Sequence, residues 1–71
     1  MRLTAIYNAL NAYRNGLATA WEQRNAELEQ LEYRKADYVP KAYKEMNKKI
    51  DDEYVLKRSI LRQTAREIIN P

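Results

Sequence analysis

The hydrophobic positions in the first half of the chain recur every seven residues, at Leu3, Leu10, Leu17, Arg24, Leu31 and Tyr38, with Arg24 as the one charged member. Other apolar residues lie three or four positions from these. An α-helix returns to the same side at this spacing, so the pattern predicts a long amphipathic helix with a narrow seam, close to a coiled-coil heptad. The seam is expected to mediate self-association or contact with a partner through Leu3, Ile6, Leu10, Tyr13, Leu17, Trp21, Leu28 and Leu31.

One interruption of this first helix is conceivable. Asn15-Gly16 is typical of a helix C-terminus, and Thr19 with Glu22 has the spacing of a capping box that would start a new helix. However, the apolar seam keeps its phase across Gly16, which favours one continuous helix over residues 3–36. Thr4 is the expected N-cap. A corner at Gly16 stays open as the alternative.

A clear break is predicted at residues 37–40. The residue before a proline is pushed out of helical geometry, and Pro40 itself suits the first turn of a helix because it has no amide to donate. Asp37 is a possible cap for the second helix. That helix is predicted over residues 40–69, with an apolar face made by Tyr43, Met46, Ile50, Tyr54, Leu61 and Ile68. Since the two arms are nearly equal in length, a reversal into an antiparallel hairpin is favoured over a mere kink.

The length of the chain bounds its stability. Its 71 residues make a single domain, and the core of so small a domain supplies only about 3–5 kcal/mol unless it is reinforced. With no cysteine and no histidine, disulfides and thiolate or imidazole metal sites are excluded. Oligomerisation or docking on a partner is the reinforcement that remains. We therefore predict an all-α fold, a coiled-coil-like helical hairpin paired into an oligomeric bundle.

A basic stripe runs along the second helix, and the whole net charge of +3 lies in that half of the chain. Neighbouring arginines at positions 58, 62 and 66 repel one another unless something negative covers them. That negative group is either nucleic-acid phosphate or the acidic surface of a partner protein, while a plain solvated face remains the third interpretation. Asp51 and Asp52, which lie in or beside the stripe, weigh against phosphate. The stripe consists of Lys41, Lys44, Lys48, Arg58, Arg62 and Arg66.

Catalysis has little chemical support in this composition. The consecutive acids Asp51, Asp52 and Glu53 point in different directions on a helix and cannot converge as a pair. There is no glycine-rich phosphate loop and no oxygen-rich loop for a hard cation. We therefore expect a protein that is not an enzyme and has no cofactor or metal.

The sequence predicts a cell compartment and a broad kind of function. No apolar run reaches the length of about 18 residues that a membrane span needs, and the lack of cysteine suits the cytoplasm. The leading hypothesis is a small helical assembly or adaptor protein, such as a phage-type scaffolding or morphogenesis factor or a small docking regulator. The alternative is a small basic nucleic-acid-binding protein that uses the Lys41–Arg66 stripe.

Overall fold

Residues 2–70 form two long α-helices joined by one tight turn. The computed structural model describes residues 2–70 and comprises α1 (Arg2–Tyr33), a short 3-10 helix (Lys35–Asp37) and α2 (Pro40–Ile69). The helices run antiparallel and pack against each other, and no strand occurs between residues 2 and 70. The predicted all-α helical hairpin is confirmed; its pairing into a bundle stays a prediction.

Helix α1 is continuous through Gly16, as favoured by the unbroken phase of the seam. This glycine does not end a helix; instead it lets α2 come close. A Cβ atom at position 16 would lie 2.7 Å from Cδ2 of Leu61, which is closer than real contacts allow. The start of the helix differs from expectation: α1 begins at Arg2, so Thr4 lies inside its first turn and is not the N-cap.

The reversal is built from backbone hydrogen bonds around Pro40. Tyr38 and Val39 are both extended, Val39 because it precedes a proline, and Pro40 occupies the first turn of α2. The amide of Tyr43 donates to the carbonyl of Val39 at 3.0 Å. Val39 is therefore the N-cap, and no side chain caps α2; Asp37 lies in the 3-10 helix and does not have the capping role proposed for it.

The contact between the helices is narrow and uses small residues of α1. Ala9, Ala20 and Leu31 of α1 and Ile50 of α2 are the buried hydrophobic side chains among the described residues. Together with Gly16, the two alanines let the helix backbones approach. The centre of this contact lies roughly 90° around α1 from Leu3, Leu10 and Trp21. The hairpin thus buries one edge of the predicted seam and leaves the other edge open.

The resulting molecule is a thin rod. The Cα atoms extend over 54 × 17 × 7 Å, and their radius of gyration is 16.3 Å. A compact domain of this length has a radius of gyration of about 11 Å. Two helices in one layer cannot enclose a core, so each helix keeps most of its circumference in contact with solvent.

Candidate interaction face

The residues of the predicted seam are distributed between the hairpin contact and an open side of α1. Leu31 is buried against α2. Ile6 and Tyr13, nearer the start of α1, are half-buried. In contrast, Leu10 and Trp21 keep 46% and 48% of their surface exposed. We define the apolar stripe as the open row of α1 residues, which consists of Leu3, Leu10, Leu17, Trp21 and Leu28.

The exposure of the apolar stripe changes along its length. Leu3, near the end of the rod, is 82% exposed, whereas Leu17 and Leu28 are half-buried. All five residues nevertheless lie within roughly 40° of one another around α1. The row is therefore continuous from one end of α1 to near the other, and α2 covers it only in part.

A polar and aromatic cluster joins the helices halfway along the rod. The Nε of Arg24 donates to Oδ1 of Asp51 across the hairpin at 2.8 Å. Its guanidinium carbon also lies 4.7 Å from the ring centroid of Trp21, a cation–π distance. The rings of Trp21 and Tyr54 meet edge to face, with their centroids 5.4 Å apart. Arg24 thus contacts Trp21 on its own helix and Asp51 on the other, and links the two helices at this level.

The basic stripe of α2 lies on the same side of the hairpin as the apolar stripe. Relative to the contact between the helices, the apolar stripe is turned roughly 90° around α1. Because α2 runs in the opposite direction, its basic stripe is turned to the same side by a similar angle. The contacts between the helices agree with this arrangement, since Arg24 and Trp21 of α1 and their partner Asp51 of α2 are turned toward that side.

The register also sets which members of the two stripes are neighbours. The cross-hairpin pairs place Leu17 level with Arg58, Leu10 level with Arg62 and Arg66, and Leu28 level with Lys48. Two rows, one apolar and one basic, therefore run side by side along the rod. We call this combined surface the interaction face.

The positive charges of the interaction face have few internal partners. All six members of the basic stripe are exposed. Between residues 2 and 70, the ion pairs within 4.0 Å are Arg24–Asp51 and Lys35–Glu32, and neither includes a member of the basic stripe. The guanidinium carbon of Arg58 lies 5.6 Å from the centroid of the Tyr54 ring. The face consequently presents apolar surface together with exposed cations that make no close ion pair.

The pairing of Asp51 changes one argument made from the sequence. As an unpaired carboxylate within the basic stripe, Asp51 would repel a phosphate laid along α2. In the structure its charge is compensated by Arg24. Asp52 is exposed and makes no ion pair within 4.0 Å. Asp51 therefore no longer weighs against a phosphate laid along α2, whereas exposed Asp52 and the apolar stripe still do.

The opposite side of the hairpin has a different character. An open groove there is lined by polar side chains such as Gln23, Gln30 and Glu53 next to Met46 and Leu31. The Nζ of Lys57 donates to Oε1 of Gln23 across this side at 2.7 Å. Apolar and polar groups alternate here without forming rows, so this side is the weaker candidate for a contact with another helix.

A second polar cluster closes the hairpin next to the turn. The hydroxyl of Tyr43 donates to Oε2 of Glu32, and the Nζ of Lys35 lies 5.1 Å from the centre of the Tyr43 ring. The hydrogen bond to Glu32, burial and the negative charge of Glu32 raise the pKa of Tyr43 above 10.0, and a hydrogen bond with Asn47 partly opposes them. This cluster lies at the end of the rod and serves the turn rather than the interaction face.

Two other kinds of site, a metal-binding cluster and a membrane-spanning helix, are not found among the described residues. No group of three or more acidic side chains between residues 2 and 70 is arranged to hold a metal ion. Neither helix in that range has an apolar segment long enough to cross a bilayer.

Sequence reasoning identified both stripes but not their relation to each other. The contact edge of small residues, with Ala9, Gly16 and Ala20, was also missed, because alanine and glycine carry little weight in a hydrophobic pattern. Their spacing of seven and four residues is the signal that could have identified the close approach.

Comparison of the chain with protein-family models, with curated proteins and with solved structures finds no match in any of the three.

Proposed function

We propose that this protein is a non-enzymatic assembly or adaptor protein that acts through helix-on-helix contacts with itself or with a larger protein. The contact surface is the interaction face. Small scaffolding or morphogenesis factors of the bacteriophage kind, and small regulators that dock on a larger enzyme, work in this manner. A cytoplasmic location is part of the proposal, since a chain without cysteine suits a reducing compartment.

The single observation that carries the proposal is the amount of surface that the hairpin leaves uncovered. Its accessible surface is 5957 Å². A compact monomer of 8.5 kDa exposes about 4,700 Å². The excess of roughly 1,300 Å² is larger than the roughly 800 Å² that each partner contributes to a standard protein–protein interface. A partner that covered the rod would bring its exposure into the ordinary range.

A partner helix would gain most binding free energy by packing on the apolar stripe. Its members recur at spacings of seven and four residues, at which a helix returns to the same side, so a second helix can pack along the row. Half-exposed Leu10 and Trp21 each have apolar area left to bury, at about 25 cal/mol per Å². Trp21 is also a residue type enriched at the energetic centres of interfaces.

Nucleic-acid binding is the second candidate function, and one observation favours it. Arg58, Arg62 and Arg66 follow one another at four-residue spacing on an exposed surface, and the nearby carboxylate of Asp51 is compensated by Arg24. Binding to duplex should then weaken with salt, and each lost phosphate contact should lower the slope of log affinity against log salt by about 0.9. The apolar stripe has no role in this alternative, so the assembly function is preferred.

A pair of aspartate substitutions tests the assembly function. Leu10→Asp places a charge in the apolar stripe, whereas Leu56→Asp places one at an exposed leucine of α2 outside the interaction face. We expect the wild-type protein, alone or in a lysate of its host, to sediment as an assembly larger than the 8.5-kDa monomer. Leu10→Asp should sediment as a helical monomer, and Leu56→Asp should keep the assembly.

Two results would contradict the proposal. One is a wild-type protein that sediments as a monomer both when purified and in the lysate. The other is an assembly that survives Leu10→Asp but dissociates in the Leu56→Asp control. Circular dichroism of each variant shows whether the hairpin itself has stayed folded, which is expected because both leucines are about half exposed.

A further inference from the structure

We infer that the occupant of the interaction face is an amphipathic α-helix of another protein, with leucine-type residues along one row and glutamates or aspartates along the adjacent row. This inference rests on the proposed function and names the chemistry of the partner. It derives from an arrangement that is visible only in the folded hairpin, namely the parallel course of the apolar and basic stripes on one side.

The dimensions of the face suit a single helix. The apolar stripe runs from Leu3 to Leu28, a distance of about 37 Å along α1 at 1.5 Å per residue. A helix of about 25 residues spans that length. If that helix lay against the apolar stripe, its neighbouring row of side chains would lie over Arg58, Arg62 and Arg66. These arginines of α2 are level with Leu17 and Leu10 of α1.

Charge makes a second copy of this chain a poorer occupant of the interaction face than an acidic helix. If two copies met face to face with their α1 helices paired, the basic stripe of one copy would oppose that of the other, and like charges would repel. If α1 of one copy met α2 of the other, each apolar stripe would be covered by cations. Neither arrangement satisfies both stripes, whereas a helix with an apolar row and an acidic row satisfies both.

A phosphate surface satisfies only half of the face. Duplex nucleic acid would neutralise the basic stripe and leave Leu10 and Trp21 in water. An anionic lipid surface offers both charge and apolar material, but it has no regular side-chain spacing to match the recurring side chains of the apolar stripe. The regularity of the stripe therefore favours another helix, and duplex and lipid become competing outcomes of the test.

The test uses three synthetic helical peptides of about 25 residues with the same leucine row and without tryptophan. Their adjacent row carries glutamate, glutamine or lysine. Trp21, the single tryptophan, lies within the face, so its emission should shift to shorter wavelength when a peptide covers it. We expect the glutamate peptide to bind at least about tenfold more tightly than the glutamine peptide, and the lysine peptide most weakly.

Variants of the basic stripe make the test specific. Replacing Arg58, Arg62 and Arg66 together with glutamine should abolish the preference for the glutamate peptide, and replacing them with glutamate should transfer it to the lysine peptide. Lys49→Gln removes a positive charge on another side of α2 and should keep the preference for the glutamate peptide.

The outcomes separate this inference from the function on which it rests. Equal affinity for the glutamate and glutamine peptides, whether both bind or neither does, would overturn the acidic partner and leave the sedimentation test of the assembly function unaffected. Tighter binding to duplex DNA or to phosphatidylglycerol vesicles than to the glutamate peptide, lost in the triple glutamine variant, would also overturn it in favour of a phosphate surface.

Discussion

Arg24 occupies a position at which the seven-residue pattern would place a leucine, and the hairpin uses it to connect its two helices. Its guanidinium group donates a hydrogen bond to Asp51 and at the same time makes a cation–π contact with the Trp21 ring. The side chain of Arg24 is 23% exposed and that of Asp51 is 44% exposed, so water screens the pair in part. A charged residue in an apolar seam can fix register at some expense in stability, and this one does so across the hairpin.

Asp51→Ala should lower the free energy of unfolding by about 1 kcal/mol more than Asp52→Ala does. Asp51 loses its bond to Arg24, whereas the adjacent Asp52 is exposed and makes no ion pair within 4.0 Å. Both changes raise helix propensity alike, so the difference isolates the cross-hairpin pair. Urea denaturation of the two variants measures it. Equal stabilities would show that the Arg24–Asp51 bond contributes nothing.

Tyr43 has a pKa raised above 10.0, first because its hydroxyl donates to Glu32. Because the pKa is raised in the folded state, the hydrogen bond between protonated Tyr43 and Glu32 stabilises the fold fully below about pH 10. That contribution to the free energy of unfolding is lost as the pH rises through the raised pKa. Glu32→Gln should therefore bring the pKa of Tyr43 down towards 10.0, as followed by tyrosinate absorbance. Tyr43→Phe identifies which of the six tyrosines is responsible. An unchanged titration in Glu32→Gln would contradict the assignment.

At the scale of the elements, the hairpin depends on one narrow strip of small residues rather than on interlocking large ones. At Gly16 the two helices lie close together, because Leu61 lies where a Cβ would be. Close backbone approach gains dispersion contacts along the strip but buries few large side chains. This explains why two helices of about 30 residues meet while leaving both stripes of the interaction face open.

Gly16→Leu should lower the free energy of unfolding by about 1–3 kcal/mol, because the new side chain overlaps Leu61 and forces the helices apart. Ala18→Leu is the matched control: it adds a leucine to an exposed position of the same helix and should change stability by no more than about 0.5 kcal/mol. Combining Gly16→Leu with Leu61→Ala should recover part of the loss. Equal effects at positions 16 and 18 would contradict the close approach.

The elements were predictable from the sequence because each leaves a local signal. Periodicity identified both helices, and Pro40 identified the turn. The caps were less predictable: Thr4 and Asp37 have the right chemistry, but α1 begins earlier and the backbone of Val39 serves α2. The rotation of α1 about its own axis was not predictable, because it depends on which residues are small enough for contact. As a consequence, the adjacency of the apolar and basic stripes appeared only in three dimensions.

For the molecule as a whole, elongation is the property from which the proposed function derives. A rod with a radius of gyration of 16.3 Å exposes more surface than a compact domain of the same length. Such a shape is poor at enclosing a substrate but presents a long, straight surface to another helix. The net charge of +3, concentrated on α2, gives that surface a preferred electrostatic complement.

Photo-crosslinking in the native host tests most directly whether the interaction face is a contact surface. A benzophenone amino acid is introduced at Leu10, within the apolar stripe, or at Leu56, an exposed leucine of α2 outside the interaction face. We predict a discrete protein adduct from position 10 and none, or far less, from position 56. Absence of an adduct from position 10, or an adduct of equal yield from position 56, would contradict the assignment of this face as the contact surface.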